Sequence, residues 1–176
     1  MKPTTLLALA ILNQAGGVAA QPEAAGTNNP ATKRVAFAQS CFWTGEMKLG
    51  QIEGVVRTEA GFFKGREVTL VEYAPERVSL EELARRGRQA GVADTVHLDA
   101  GTERAPAGVS NGAPLDKSYR GAPVGDQKKQ IEGTPFSRLE LSPEQATKVN
   151  AFVREDSGKA LGYLTPPQRE QLKSGK

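Results

Sequence analysis

Residues 34–46 read Arg-Val-Ala-Phe-Ala-Gln-Ser-Cys-Phe-Trp-Thr-Gly-Glu, and the change of character at Ser40-Cys41 sets the plan of the chain. Arg34–Gln39 is a short apolar run of strand type. Beyond the cysteine, Phe42, Leu49 and Ile52 recur near one side, which predicts a short helix over Phe42–Ile52 despite Gly45 and Gly50. Working outward, Val55–Phe62 and Glu67–Tyr73 are rich in β-branched and aromatic residues, and Gly65 marks a turn between two strands. Ser79-Leu-Glu-Glu82 reads as a capping box, and Leu80, Leu83 and Ala84 keep helical spacing until Gly91. Ala93–Leu98 predicts a fourth strand. The order over residues 34–98 is therefore β-α-β-β-α-β.

That order is the split β-α-β plan of ferredoxin-like α+β folds. Beyond it, Asp99–Gln127 is rich in Gly, Pro and polar residues and reads as a long surface loop. Residues 128–176 read as a helical extension. Within it Ser142-Pro-Glu-Gln145 starts one helix, with Ala146, Val149, Phe152 and Val153 as its buried stripe, and Thr165-Pro-Pro-Gln168 opens a short second one. These helices are expected to strap the sheet and to carry no chemistry. At the other end, Lys2, the apolar stretch Leu6–Leu12 and the small residues Val18-Ala19-Ala20 have the order of a secretory signal cleaved after Ala20. Residues 21–33 then read as a flexible linker. The apolar run is too short to span a bilayer, so no membrane span is expected, and the protein is expected in the periplasm or outside the cell.

Composition narrows the function further. Hydrophobic residues make up 38% of the 176 residues, enough for a core and against disorder of the whole chain. Lys+Arg 23 against Asp+Glu 20 leaves a net charge of only +3, which argues against a nucleic-acid binder. With one cysteine and one histidine, the chain has no internal disulfide, no thiolate zinc site and no two-cysteine redox pair. It also shows neither a Gly-rich phosphate cradle nor a serine–histidine arrangement. Several charged or polar residues read as structural. Glu46 is a first-turn acid favoured by the helix dipole, His97 a strand or core histidine, and Arg85-Arg86-Gly87-Arg88 and Lys128-Lys129 solvated faces.

The chemistry therefore centres on Cys41. At a strand-to-helix junction the unpaired helix N–H groups and the positive dipole end favour thiolate over thiol. Phe42 and Trp43, the only tryptophan, would set apolar faces beside the sulfur, a pocket suited to a small apolar or sulfur-containing group. The same residues also fit a buried cysteine among core aromatics, because free cysteine is among the most buried residue types. An unpaired cysteine in an exported protein, however, meets oxidants and thiol exchange.

Ser40–Glu46 resembles the signature Gly-Cys-Phe-Trp-Gly-x-Glu of the type A peptide-methionine sulfoxide reductases, matching at Cys41, Phe42, Trp43 and Glu46. The likeness runs on through Ile52-Glu-Gly-Val-Val56 and through Thr58-Glu-Ala-Gly-Phe62, similar to the family's Ser/Thr-x-x-Gly-Tyr. Glu67-Val-Thr-Leu-Val-Glu-Tyr73-Ala-Pro75 is similar to the strand bearing the family's catalytic glutamate, and Ser79–Leu83 to the helix after it. About 50 residues, 34–83, carry the resemblance.

The resemblance implies thiol-dependent reduction of methionine-S-sulfoxide, free or in peptides, through a sulfenic acid on Cys41. Glu67 would protonate the sulfoxide oxygen, Phe42 and Trp43 would line the methyl pocket, and Phe62 would also contact the substrate. Tyr119, in Ser118-Tyr-Arg-Gly-Ala122, is similar to a second family tyrosine. The chain departs from the pattern in several places: Ser40 replaces the glycine before the cysteine, and Thr44-Gly45 replaces Gly-x. Phe62 stands where the family has a tyrosine hydroxyl, and the loop before Glu67 is cut to Phe63-Lys-Gly-Arg66. No cofactor is expected. With no recycling cysteine, the sulfenic acid would need an external thiol or a thioredoxin-like partner. Two other readings stay open: a reductase-like binding or redox-sensing module with a reactive thiol, and an interaction protein that forms a mixed disulfide at Cys41.

Overall fold

A computed structural model describes residues 31–100 and 104–175. The expected leader and nearly all of the linker lie outside these residues. The first strand already begins at Lys33, inside the span read as linker.

The chain is mixed α+β, with a six-stranded mixed sheet and helices. Strand β1 (Lys33–Ala38) leads into helix α1 (Phe42–Gly50), then β2 (Val55–Phe63), β3 (Arg66–Tyr73), α2 (Leu80–Gln89) and β4 (Thr95–Leu98). The two short strands β5 (Ser110–Asn111) and β6 (Arg120–Gly121) complete the order β5-β4-β1-β3-β2-β6. The pairs β1–β3, β1–β4, β2–β3 and β2–β6 are antiparallel, and β4–β5 is parallel. Both helical crossovers thus skip a strand: β1-α1-β2 straddles β3, and β3-α2-β4 straddles β1. The β2–β3 hairpin turns on Lys64 and Gly65 at φ 48° and 78°, two positive values that match the right-handed twist of the flanking strands.

Alternation along the strands divides the sheet into two faces. Val35 and Phe37 of β1, with Val71 and Tyr73 of β3, point to α1 and α2 and form the main core with Leu49 and Leu83. Ala36 and Ala38, with Phe63, Val68 and Leu70, point the other way, where Leu115 and Tyr119 cover them. Helix α1 buries Phe42, Gly45, Glu46, Leu49 and Gly50, a continuous i, i+3, i+4, i+7, i+8 stripe. Gly45 brings the helix hard against β3 and the end of β1, because a Cβ there would collide with Thr69 Oγ1 and the Gln39 amide.

Helix α2 starts on half of the expected box. Ser79 accepts from the Glu82 N–H at 3.2 Å, but the Glu82 carboxylate turns outward to Arg85 and Arg86. The segment read as a surface loop is a strap. Asp99 bridges to Leu115, β5 extends the sheet beside β4, and β6 extends it beside β2, so the chain crosses the face opposite the helices. A run of Gly, Pro and polar residues needs little periodicity to do this, because its backbone hydrogen bonds to the sheet edges supply the order.

The C-terminal helices reach the sheet through the first of them, as expected, and build a core of their own besides. Helix α3 (Pro143–Phe152), which opens on a complete Ser142/Gln145 capping box, packs on α1 and β2. With α4 (Ser157–Gly162) and α5 (Pro166–Ser174) it encloses a second core around Ile131, Phe136, Leu139, Val149 and Phe152. Lys148 of α3 donates to the carbonyls of Gly50 and Ile52 at 2.8 and 3.1 Å, serving the C-terminal end of α1. Burial, then the charges of Arg77 and Lys159, push the Lys148 pKa down to about 8. Among the described residues no helix is long and apolar enough to cross a membrane.

Candidate functional site

Cys41 is the N-cap residue of α1, in extended conformation at φ −148° and ψ 112°, and it is partly exposed. An N-cap side chain commonly accepts one of the orphan helix N–H groups. Here the thiol makes no such bond. Glu67 of β3 supplies the acceptor instead: its Oε2 takes the N–H of Phe42 at 2.8 Å. The carboxylate of one element is thereby held at the amide directly following the cysteine of another. The sulfur is left uncommitted at the end of α1, where the orphan N–H groups and the dipole converge.

The aromatic residues assemble on the same side. Phe62 lies opposite Glu67 in the β2–β3 register, so the two side chains share the helix-bearing face of the sheet. Phe42 is 5% exposed and packs with Ala60 and Ala122, with Trp43 and Phe62 partly buried against that cluster. Its ring meets Trp43 edge-on at 5.9 Å and Phe62 edge-on at 5.4 Å between centroids. The structure thus brings Cys41, Phe42, Trp43, Phe62 and Glu67 together.

Tyr119 is not brought there. It packs on the opposite face, over Ala36, Ala38, Phe63, Val68 and Leu70, and its hydroxyl donates to Glu59 Oε1 at 2.7 Å. Burial, then the Glu59 carboxylate, hold its phenol well above the ordinary pKa. The parity of β2 explains the separation: Glu59, Gly61 and Phe63 face one way while Ala60 and Phe62 face the other. His97 shares the strap side. It is 5% exposed, with Nδ1 2.8 Å from the Ala113 carbonyl and its ring edge-on to Phe63, which suits a core histidine.

Two residues given structural readings meet each other between α1 and β2. Glu46 is not a first-turn acid serving the helix dipole, because α1 has no acidic residue in its first turn. It sits one turn after Phe42, fully buried, and accepts from Thr58 Oγ1 and from the Lys128 N–H at 3.4 and 2.8 Å. Lys128 is no solvated charge either, because its ammonium pairs with Glu46 and donates to the Thr58 carbonyl at 2.6 Å. The signal in the sequence was the i, i+4 spacing of Phe42 and Glu46, which puts the acid on the buried stripe of α1. Nothing local announces its partner, 82 residues away.

Among the described residues no group of three or more His, Cys, Asp or Glu side chains is placed to hold a metal ion. No protein-family model matches the chain, and comparison with curated proteins gives no match. The class the geometry defines is that of an α+β protein with one accessible thiol at a helix N-terminus, a carboxylate beside it and an aromatic wall.

Proposed function

We propose that this chain is an exported thiol-dependent reductase of methionine-S-sulfoxide, free or in peptides, on a ferredoxin-like sheet of the type A methionine sulfoxide reductase kind. One observation carries it: Glu67 Oε2 bound to the amide next to Cys41, which sets an acid beside an uncommitted thiol. The Cys41 thiolate attacks the sulfoxide sulfur while the second Glu67 oxygen delivers a proton to the sulfoxide oxygen. The oxygen passes to the cysteine, so the sulfoxide leaves as thioether and Cys41 becomes a sulfenic acid. Two external thiols then return it to thiol, releasing water and their own disulfide. Phe42, Trp43 and Phe62 receive the methyl group by apolar contact.

The experiment is turnover of the separate enantiomers of a methyl aryl sulfoxide with dithiothreitol. Consumption of the S form alone, abolished in Cys41→Ser, is expected. No turnover, or turnover that persists in Cys41→Ser, rejects the proposal.

A second reading draws on the missing hydroxyls. Phe62 has none and Tyr119 spends its own on Glu59, so neither holds a sulfoxide oxygen beside Cys41. On that reading the same thiol is a redox sensor that peroxide converts to sulfenic acid, with no methionine formed. Labelling by a sulfenic-acid probe in a protein that is inactive on both enantiomers selects it.

A further inference from the structure

The residues between β6 and the second core grip α1 and β2 more firmly than a connecting segment requires. The Gln127 side chain treats Ala60 as a neighbouring strand would. Its Oε1 accepts the Ala60 N–H at 3.0 Å, and its Nε2 donates to the carbonyls of Ala60 and Ala122 at 2.8 and 3.1 Å. Lys128 next to it has φ 50°, a left-handed conformation unfavourable for a residue with a Cβ and kept only where the surroundings over-determine it. Those surroundings are the pairing of both its backbone N–H and its ammonium with the buried Glu46. A buried ion pair is weak evidence for stability, since desolvation offsets most of the attraction, so its place in the fold needs another account.

The product of this grip is the setting of one side chain. The Asp126 carbonyl accepts the Trp43 indole N–H at 3.1 Å, and the Lys129 ammonium lies 5.4 Å from the centre of the Trp43 ring. Lys129 is itself tied to Glu132 at 2.6 Å. Trp43 is only partly buried, so packing alone does not fix its ring. Glu46, one turn along α1 from Phe42, links the grip to the helix that carries Cys41.

We infer that Gln127, Lys128 and Glu46 are positioning residues: they clasp the 126–129 segment to α1 and β2 and so hold the Trp43 indole as a fixed wall beside Cys41. None of the three needs to touch the group that reacts. The clasp acts through the width and orientation of the aromatic wall, and hence on how a thioether-sized group is received. That last consequence rests on the proposed reductase reading, whereas the setting of the indole does not.

The test uses Trp43 as its own reporter, because it is the only tryptophan in the chain. In the unmodified protein the indole N–H is expected to exchange with solvent deuterium far more slowly than in a free indole. In Lys128→Met, and in the charge-free pair Glu46→Gln with Lys128→Met, Trp43 emission is expected to shift to the red. Its quenching by acrylamide should rise at least about twofold, with far-ultraviolet circular dichroism unchanged. In the sulfoxide assay KM should rise about tenfold with a smaller change in kcat, the mark of a misplaced binding wall. Emission and quenching that stay as in the parent in a folded variant overturn the inference. So does an indole N–H of the unmodified protein that exchanges at the solvent rate, a result that needs no variant to fold. A clasp that passes these tests in a protein with no sulfoxide turnover stands, and only the reductase proposal falls.

Discussion

The two faces of the sheet carry similar chemistry and put it to different ends. On the helix side, Glu67 accepts a backbone N–H beside a partly exposed thiol, and aromatic rings stand around it. On the strap side, Glu59 accepts from the Tyr119 hydroxyl, and His97 is engaged by the Ala113 carbonyl beneath Phe63. Each face holds a carboxylate from a central hairpin strand and one strongly placed partner. The strap side closes on itself by burial: the Tyr119 hydroxyl is spent on Glu59, and His97 Nε2, which has no hydrogen-bond partner, is shut away from solvent. The helix side leaves a partly exposed thiol without a hydrogen bond at a helix end. A site is marked less by titratable groups than by an unspent one that solvent can reach, as it reaches Cys41 and not His97.

Substitutions on either face test this division. The largest effect is expected from Glu67→Gln, whose amide oxygen can still accept from Phe42 N–H while no acidic proton remains. Sulfoxide turnover should fall on the order of 100-fold in kcat, measured in the steady state, with the fold intact. Glu67→Ala should add a loss of about 1 kcal/mol in urea unfolding, since the acceptor at the start of α1 is then gone as well. Next comes Gly45→Ala, where the new methyl meets Thr69 Oγ1 and the Gln39 amide. A destabilisation of about 2 kcal/mol is expected by denaturant titration, because α1 must lift from β3 to accommodate it. It should also slow Cys41 modification by an aromatic disulfide or change its rate, since the helix end moves with it.

The smallest effect belongs to the strap side. Tyr119→Phe removes one hydrogen bond to Glu59 and should lower stability by about 1 kcal/mol, with sulfoxide turnover as in the parent. A loss of turnover comparable to that of Glu67→Gln would show that the two faces are coupled rather than divided.

Much of the arrangement was legible in the sequence. The order of strands and helices over residues 34–98 follows from periodicity, turn residues and caps, and these are local signals. So is the clustering of Cys41, Phe42 and Trp43, which are consecutive, and of Phe62 with Glu67, which face each other across a two-residue hairpin turn. Helix α1 was harder to read because glycine and glutamate hold core positions at 45 and 46, where a hydropathy pattern expects apolar side chains. Glu46 could enter the core only because Lys128 meets it there.

What the tertiary structure alone decided is the fate of the residues beyond β4. Tyr119 looks like a site residue from its neighbours in the chain, but the strap delivers it to the far face, because β6 pairs with the outer edge of β2. Lys128 looks solvated, yet it lies against Glu46, and the neighbouring Asp126 carbonyl receives Trp43. Local sequence determines how each segment can fold and which side chains alternate together. It does not determine which distant segment will come to rest against them, since that follows from matching buried polar groups across the whole molecule, and such matching has no periodicity along the chain.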